Sequence, residues 1–183
     1  MTTLYSGGLV FDGKGNLLEN HGVLVDGERI SRIAPIGEFE GYSSEKIDTS
    51  AGTLLPGLID CHVHLVYCGE ADPKTSLLKL GPGQIVMNAF ENAQKTLRSG
   101  ITAIRDLGGR DYLEFAVRDA CNSDRQLGPT IMAAGKMICM TGGHGNVFGR
   151  IADGPDEVLK AVREQIQAGS DVIKLMATGG VMT

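Results

Sequence analysis

Two histidines two residues apart, His62 and His64, lie in the apolar stretch Gly57-Leu58-Ile59-Asp60-Cys61-His62-Val63-His64-Leu65, directly after the turn Leu55-Pro56-Gly57. The run is short and apolar enough to read as a buried strand. Side chains alternate along a strand, so Asp60, His62 and His64 project to one face and Cys61, Val63 and Leu65 to the other. Two imidazoles presented side by side from one rigid strand can chelate a divalent metal through neutral ring nitrogens, and a carboxylate one step earlier can orient or join them. A pair of core or surface histidines accounts for the same spacing, and a motif this short leaves the two readings level.

Further candidates lie downstream. Lys174 sits in the apolar run Val172-Ile173-Lys174-Leu175-Met176 and shares a strand face with Val172 and Met176. Burial there disfavours the ammonium, so the position suits an amine that has been neutralised, for instance as a carbamate formed with carbon dioxide that bridges metals. A snorkelling or ion-paired lysine is the commoner explanation for such a residue taken alone. His144, in the glycine-rich loop Thr141-Gly142-Gly143-His144-Gly145, is placed to touch substrate or metal, or to serve as a hydrogen-bonded loop histidine. Arg105-Asp106 reads first as a structural ion pair or a capping feature.

The elements that position these residues follow from the pattern. Residues 1–52 hold short apolar runs separated by Asp12-Gly13 and Asp26-Gly27, turn dipeptides that favour hairpins, and predict a small antiparallel sheet too short for a core of its own. From Thr53 the rhythm changes to strand then helix. Strands are predicted over 53–65, 101–107, 129–140 and 171–177, and helices over 84–98, 111–125 and 155–168, the last with Asp153 or Asp156 near its start. Alternating strands and helices with near-continuous apolar strands imply a parallel sheet covered by helices. The segments Gly108-Gly109, Thr141 to Gly145 and Thr178-Gly179-Gly180 all follow strands, at the edge where ligand chemistry gathers in such folds.

Composition limits the partners. The 183 residues are 42% hydrophobic and 21% charged with a formal net charge of −5, enough apolar content for a substantial core and no basic stripe for nucleic acid or an anionic membrane. No apolar run approaches the roughly 18 residues of a membrane span, and the N-terminus lacks a signal-peptide pattern, so a cytoplasmic protein handling small molecules is expected. Cys61, Cys68, Cys121 and Cys139 show no CxxC spacing and are expected as reduced thiols.

Residues 57–64, together with Gly100-Ile101-Thr102-Ala103-Ile104-Arg105-Asp106, Thr141-Gly142-Gly143-His144-Gly145 and Asp171 to Gly180, resemble the amidohydrolase superfamily, in its imidazolonepropionase-like branch with Xaa-Pro dipeptidases and arginine carboxypeptidase-type enzymes. The resemblance implies the N-terminal half of a (β/α)8 TIM barrel over residues 53–183, preceded by part of a small antiparallel β-sandwich domain over 1–52. It implies that His62 and His64 bind the more buried zinc and that Lys174, carboxylated by CO2, bridges two metals. The family's two further metal-binding histidines and catalytic aspartate would lie beyond Thr183, with the strands that complete the small sheet. The implied activity is metal-assisted hydrolysis of a dipeptide or N-acyl amino acid. His144 would lie near the substrate, with Arg150 as a carboxylate fork or merely a surface residue. A cyclic-amide, urea or carbamate hydrolase on the same scaffold, or a non-catalytic oligomerising relative, are the rival readings. Exposed apolar faces around Ile59, Ile104, Met132 and Ile173 are expected of half a barrel, as is completion by the missing half or association into a homo-oligomer.

Overall fold

The computed structural model describes residues 2–42, 45–123 and 125–178, and the chain divides into two compact units, residues 1–56 and 57–183. Strands of the first are β1 (Thr2–Ser6), β2 (Leu9–Phe11), β3 (Leu17–Leu18), β4 (His21–Asp26), β5 (Arg29–Pro35), β6 (Glu45–Asp48) and β7 (Thr53–Leu54). They make two sheets, in the orders β5-β4-β1-β6 and β3-β2-β7. The turn dipeptides act as read: Asp26 pairs with Arg29 to close a two-residue hairpin loop, and the Asp12 carboxylate braces its turn by accepting from the Lys14 and Asn16 amides. Both sheets are nevertheless mixed, because β6 joins β1 and β7 joins β2 in parallel. These two strands arrive through long connections rather than tight turns, so no hairpin geometry dictates their direction. Leu4, Leu24 and Ala34 pack with Phe39, delivered by a single 3-10 turn, into the unit's small core.

The second unit contains β8 (Leu58–Val63), α1 (Pro73–Lys79), α2 (Pro82–Arg98), β9 (Ile101–Asp106), α3 (Leu113–Asn122), β10 (Thr130–Ala133), β11 (Ile138–Cys139), β12 (Arg150–Ile151) and α4 (Pro155–Ala168). It is the expected α/β arrangement. β8, β9 and β10 lie side by side in parallel, and α2 and α3 cover one face. Ile85, Ala89 and Ala93 recur every four residues along α2 and are fully buried. Ala89 and Ala93, with Val117 and Cys121 of α3, pack against Ile104 and Ile131 of the sheet. The opposite face carries Ile59, 68% exposed, and Met132, 47% exposed, whereas Ile104 is only 3% exposed because the pleat turns it toward the helices.

Three predicted strands are shorter than expected. The run 53–65 breaks at Leu55-Pro56-Gly57: its first two residues belong to the small sheet and only β8 to the parallel one. Gly57 is needed at the break, since a Cβ there would meet the Thr102 hydroxyl at 2.0 Å. The run 129–140 divides into β10 and β11, and β11 takes β12 as its parallel neighbour. The run 171–177 forms one isolated parallel bridge, Ile138 with Leu175. Its backbone still continues the strand order, with Asp171 N–H donating to Ala133 O, Ile138 N–H to Lys174 O and Met176 N–H to Ile138 O, each within 3.0 Å. Gly179 and Gly180, expected in the loop beyond, lie outside the described residues. Helix α4 matches its predicted bounds, but Gly154 is its N-cap, and the Asp153 carboxylate instead accepts from the Thr141 amide and hydroxyl. Among the described residues no helix is long and apolar enough to cross a membrane.

Candidate metal centre

β8 delivers the two histidines. Between Asp60, opposite Ile104, and Val63, opposite Asp106, the strand holds one residue more than its partner, and this irregularity falls at Cys61-His62. Such a bulge re-aims side chains locally. The imidazoles of His62 and His64 end as neighbours, with ring centroids 5.5 Å apart at 60°. Asp60, read as able to orient or join the pair, spends its carboxylate on the His62 backbone N–H at 3.0 Å.

His64 is held firmly. Its Nδ1 lies 2.8 Å from the Gly108 carbonyl, and because a carbonyl only accepts, Nδ1 carries the proton and Nε2 keeps its lone pair. Burial is the main influence holding the His64 pKa below the ordinary imidazole value, with Lys174 and His144 adding to it and the Gly108 bond opposing it. His62 is lowered too, first by desolvation and then by Lys174, His64 and Arg105, against Asp60. Both rings are therefore neutral near pH 7, the form that ligates a metal.

Lys174 is half-buried, and its charge adds to the lowering of both imidazoles. His144 reaches the same place from the loop after β11. With His64 it lines a pocket of about 80 Å³ whose other walls include Tyr67, Lys74, Met137, Phe148 and Met176. Tyr67 stacks edge-on against His64 at 5.7 Å, and its phenol is pushed upward by burial, then by Asp106 and Glu70. Arg150 does not line this pocket. Its guanidinium forks onto Glu164 of α4, Nε at 2.6 Å and Nη2 at 3.2 Å, which makes it a strap between β12 and α4.

Lys74 escaped the sequence reading, and Asp106 takes partners other than the one expected. Lys74 stands on α1, a helix not expected, although Asp72-Pro73 is an N-cap followed by proline at the first helical position, and the Asp72 carboxylate does accept from Thr75 N–H. Asp106 does not pair with Arg105, which bonds the Cys61 carbonyl instead. Asp106 is fully buried and accepts from the amides of Leu65 and Gly108, while burial raises its carboxyl to about 6.

The two neutral imidazoles presented from one strand suit a divalent metal in type and protonation. Among the described residues no third histidine, cysteine, aspartate or glutamate completes a metal-binding group.

Known proteins are similar over the whole chain. The amidohydrolase family matches residues 53–183. Ochratoxinase of Aspergillus niger is 32% identical across 100% of this chain and 43% of its own length. Imidazolonepropionase of Pseudomonas aeruginosa is 26% identical across 70% of this chain and 38% of its own. A solved Xaa-Pro dipeptidase with methionine bound in its active site superposes with a TM-score of 0.85 at 33% identity, covering 100% of this chain and 48% of that one. The chain therefore spans less than half the length of these relatives.

Proposed function

We propose, from the premise that this chain belongs to the amidohydrolase family, that it contributes metal ligands and a substrate pocket to a hydrolase acting on a carbon–nitrogen bond, with a dipeptide or N-acyl amino acid as substrate. Residues 53–183 would form the first half of its (β/α)8 barrel. The observation that carries this reading is the pairing of the His62 and His64 imidazoles, with the His64 Nδ1–H committed to Gly108 so that Nε2 is free to ligate.

His62 and His64 would hold one zinc ion. As an ammonium, Lys174 repels cations. Losing one proton to become a free amine, then forming an N–C bond to CO2 with release of a second proton, would turn it into a carbamate anion able to hold a metal. When bound, the metal supplies Lewis acidity toward a carbonyl and a water nucleophile with its pKa lowered toward 7. Two histidines and a carbamate make an incomplete shell for a catalytic site, so the remaining ligands come from outside the described residues.

The pocket speaks to the substrate. Tyr67, Met137, Phe148 and Met176 make it largely apolar, and Lys74 stands on its wall. An apolar side chain with a carboxylate directed at Lys74 matches that lining, a role that Arg150, engaged with Glu164, does not serve. His144 lines the same pocket as His64, and its imidazole would donate to a substrate carbonyl.

The test is to purify the protein containing this chain, measure zinc by elemental analysis and screen dipeptides and N-acyl amino acids beside cyclic amides and aryl ureas. Zinc-dependent turnover of the first group is expected, together with loss of metal and rate in His62→Ala and His64→Ala. Full rate in chelator-treated protein would end the metal reading, and turnover confined to cyclic amides or ureas would replace the substrate class.

A further inference from the structure

We propose that Asp106 is a positioning residue for His64, fixing which ring nitrogen carries the proton and where the ring points. This rests on the reading of His64 as a metal ligand. The Asp106 side chain is completely buried and its two oxygens have separate tasks. Oδ2 accepts from Leu65 N–H at 2.9 Å, which fixes the peptide immediately after His64. Oδ1 accepts from Gly108 N–H at 2.9 Å, which fixes the residue whose carbonyl takes the His64 Nδ1–H at 2.8 Å.

One carboxylate therefore grips both ends of the bond that orients the imidazole. The neighbouring backbone completes the frame. Leu107 N–H donates to Val63 O at 2.9 Å, tying the loop to the end of β8 on the other side of His64. Gly109 N–H donates to Gly135 O at 3.2 Å. A trans peptide points its carbonyl opposite to its N–H, so this bond turns the Gly108 carbonyl toward the ring. Gly108 itself has φ +142°, a backbone conformation that other residues adopt only with strain, which favours glycine at this point of the loop.

A carboxylate is the side chain this task requires. Each oxygen meets an N–H, and the group can satisfy both while carrying no proton. Asparagine offers one acceptor, and its amide would set N–H against N–H on the other side. Groups that orient a ligating histidine typically change metal affinity 10–100-fold when altered.

The experiment uses the protein containing this chain, labelled with ring-¹⁵N histidine, metal-free and then titrated with zinc. Metal-free wild type should show His64 as the Nδ1–H tautomer. Asp106→Asn, and Asp106→Ser should the asparagine variant fail to fold, should move His64 toward a mixture with the Nε2–H form and weaken zinc binding by about 10–100-fold, with far-UV circular dichroism unchanged. A wild-type His64 found as Nε2–H overturns the proposal without any variant. A folded variant whose tautomer and zinc affinity match wild type overturns it too, as does one that loses zinc only in step with unfolding while the tautomer stays put. If wild type binds no zinc at all, the metal reading fails, and the metal-free tautomer comparison still decides the role of Asp106.

Discussion

Replacing Glu114 with glutamine should make the protein more stable at neutral and alkaline pH and leave it nearly unchanged in mild acid. Glu114 stands in the first turn of α3, is fully buried, and among the described residues neither of its carboxyl oxygens has a hydrogen-bond partner. It lies tight against Gly109, where a Cβ would come within 2.1 Å of Oε2. Burial first, and the nearby Asp106 carboxylate second, raise its pKa from 4.5 to about 8. Arg118, one turn along, pulls only weakly the other way, its guanidinium being engaged by Asp119 and Asp171. Because the folded state holds this proton more tightly than the unfolded chain, the associated stability is complete below pH 4.5 and is withdrawn as pH rises to about 8. The gap corresponds to at most about 5 kcal/mol, accruing at about 1.4 kcal/mol per pH unit. Glutamine cannot ionise, so its burial cost is the same at every pH. Denaturant unfolding between about pH 5 and 8 provides the assay, read by far-UV circular dichroism and tyrosine fluorescence since the chain has no tryptophan. Wild type and Glu114→Gln should diverge steadily as pH rises. A separation that stays constant with pH would refute the reasoning, for it would mean Glu114 is ionised in the fold or is reached by water.

Other expectations follow from the same geometry. Lys174→Ala should lower metal content and rate together, and intact-mass analysis of wild type under bicarbonate should show the increment of one CO2; unchanged metal and rate in the variant would make Lys174 structural. Lys74→Met should raise KM for substrates bearing a free carboxylate by about 10-fold or more with kcat little changed, the signature of lost uniform binding; an unaltered KM would move the carboxylate elsewhere. Arg150→Ala should leave KM untouched and lower the midpoint of a thermal melt slightly, because it removes a partly exposed bidentate pair with Glu164; a KM effect without destabilisation would return Arg150 to the substrate.

How much of this was legible in the sequence depends on whether a residue acts through its type and spacing or through what folds over it. His62 and His64 are visible because a spacing of two on a strand is itself geometry, and α4 is visible because Pro155 opens a periodic run that Gly169 ends. The strands over 129–140 and 171–177 are misjudged in length because an apolar run records burial, and loops crossing the interior face are buried too: Met137 is 5% exposed although it lies outside any strand. Arg150 shows the limit for charge. Its fork suits a substrate carboxylate and a glutamate equally, and only the packing of α4 on β11 and β12 decides which is within reach.

The adjacent pair Arg105-Asp106 shows a deeper limit. Neighbours on a strand face opposite ways, so the two charges that look paired in the sequence are separated by the sheet itself: Arg105 reaches across to the Cys61 carbonyl on the exposed side, and Asp106 turns into the buried side. Once there, Asp106 has no cation to meet and takes two backbone N–H groups instead, one from the strand carrying His64 and one from the loop that holds its ring. That makes the carboxylate an organiser of backbone, a role with no spacing signature because its partners are amides that every residue but proline has. The buried Glu114 nearby gives the arrangement its cost. Two carboxylates cannot both ionise cheaply under one glycine loop, so the charge falls to Asp106, which accepts two backbone N–H groups, and the proton to the more strongly perturbed Glu114.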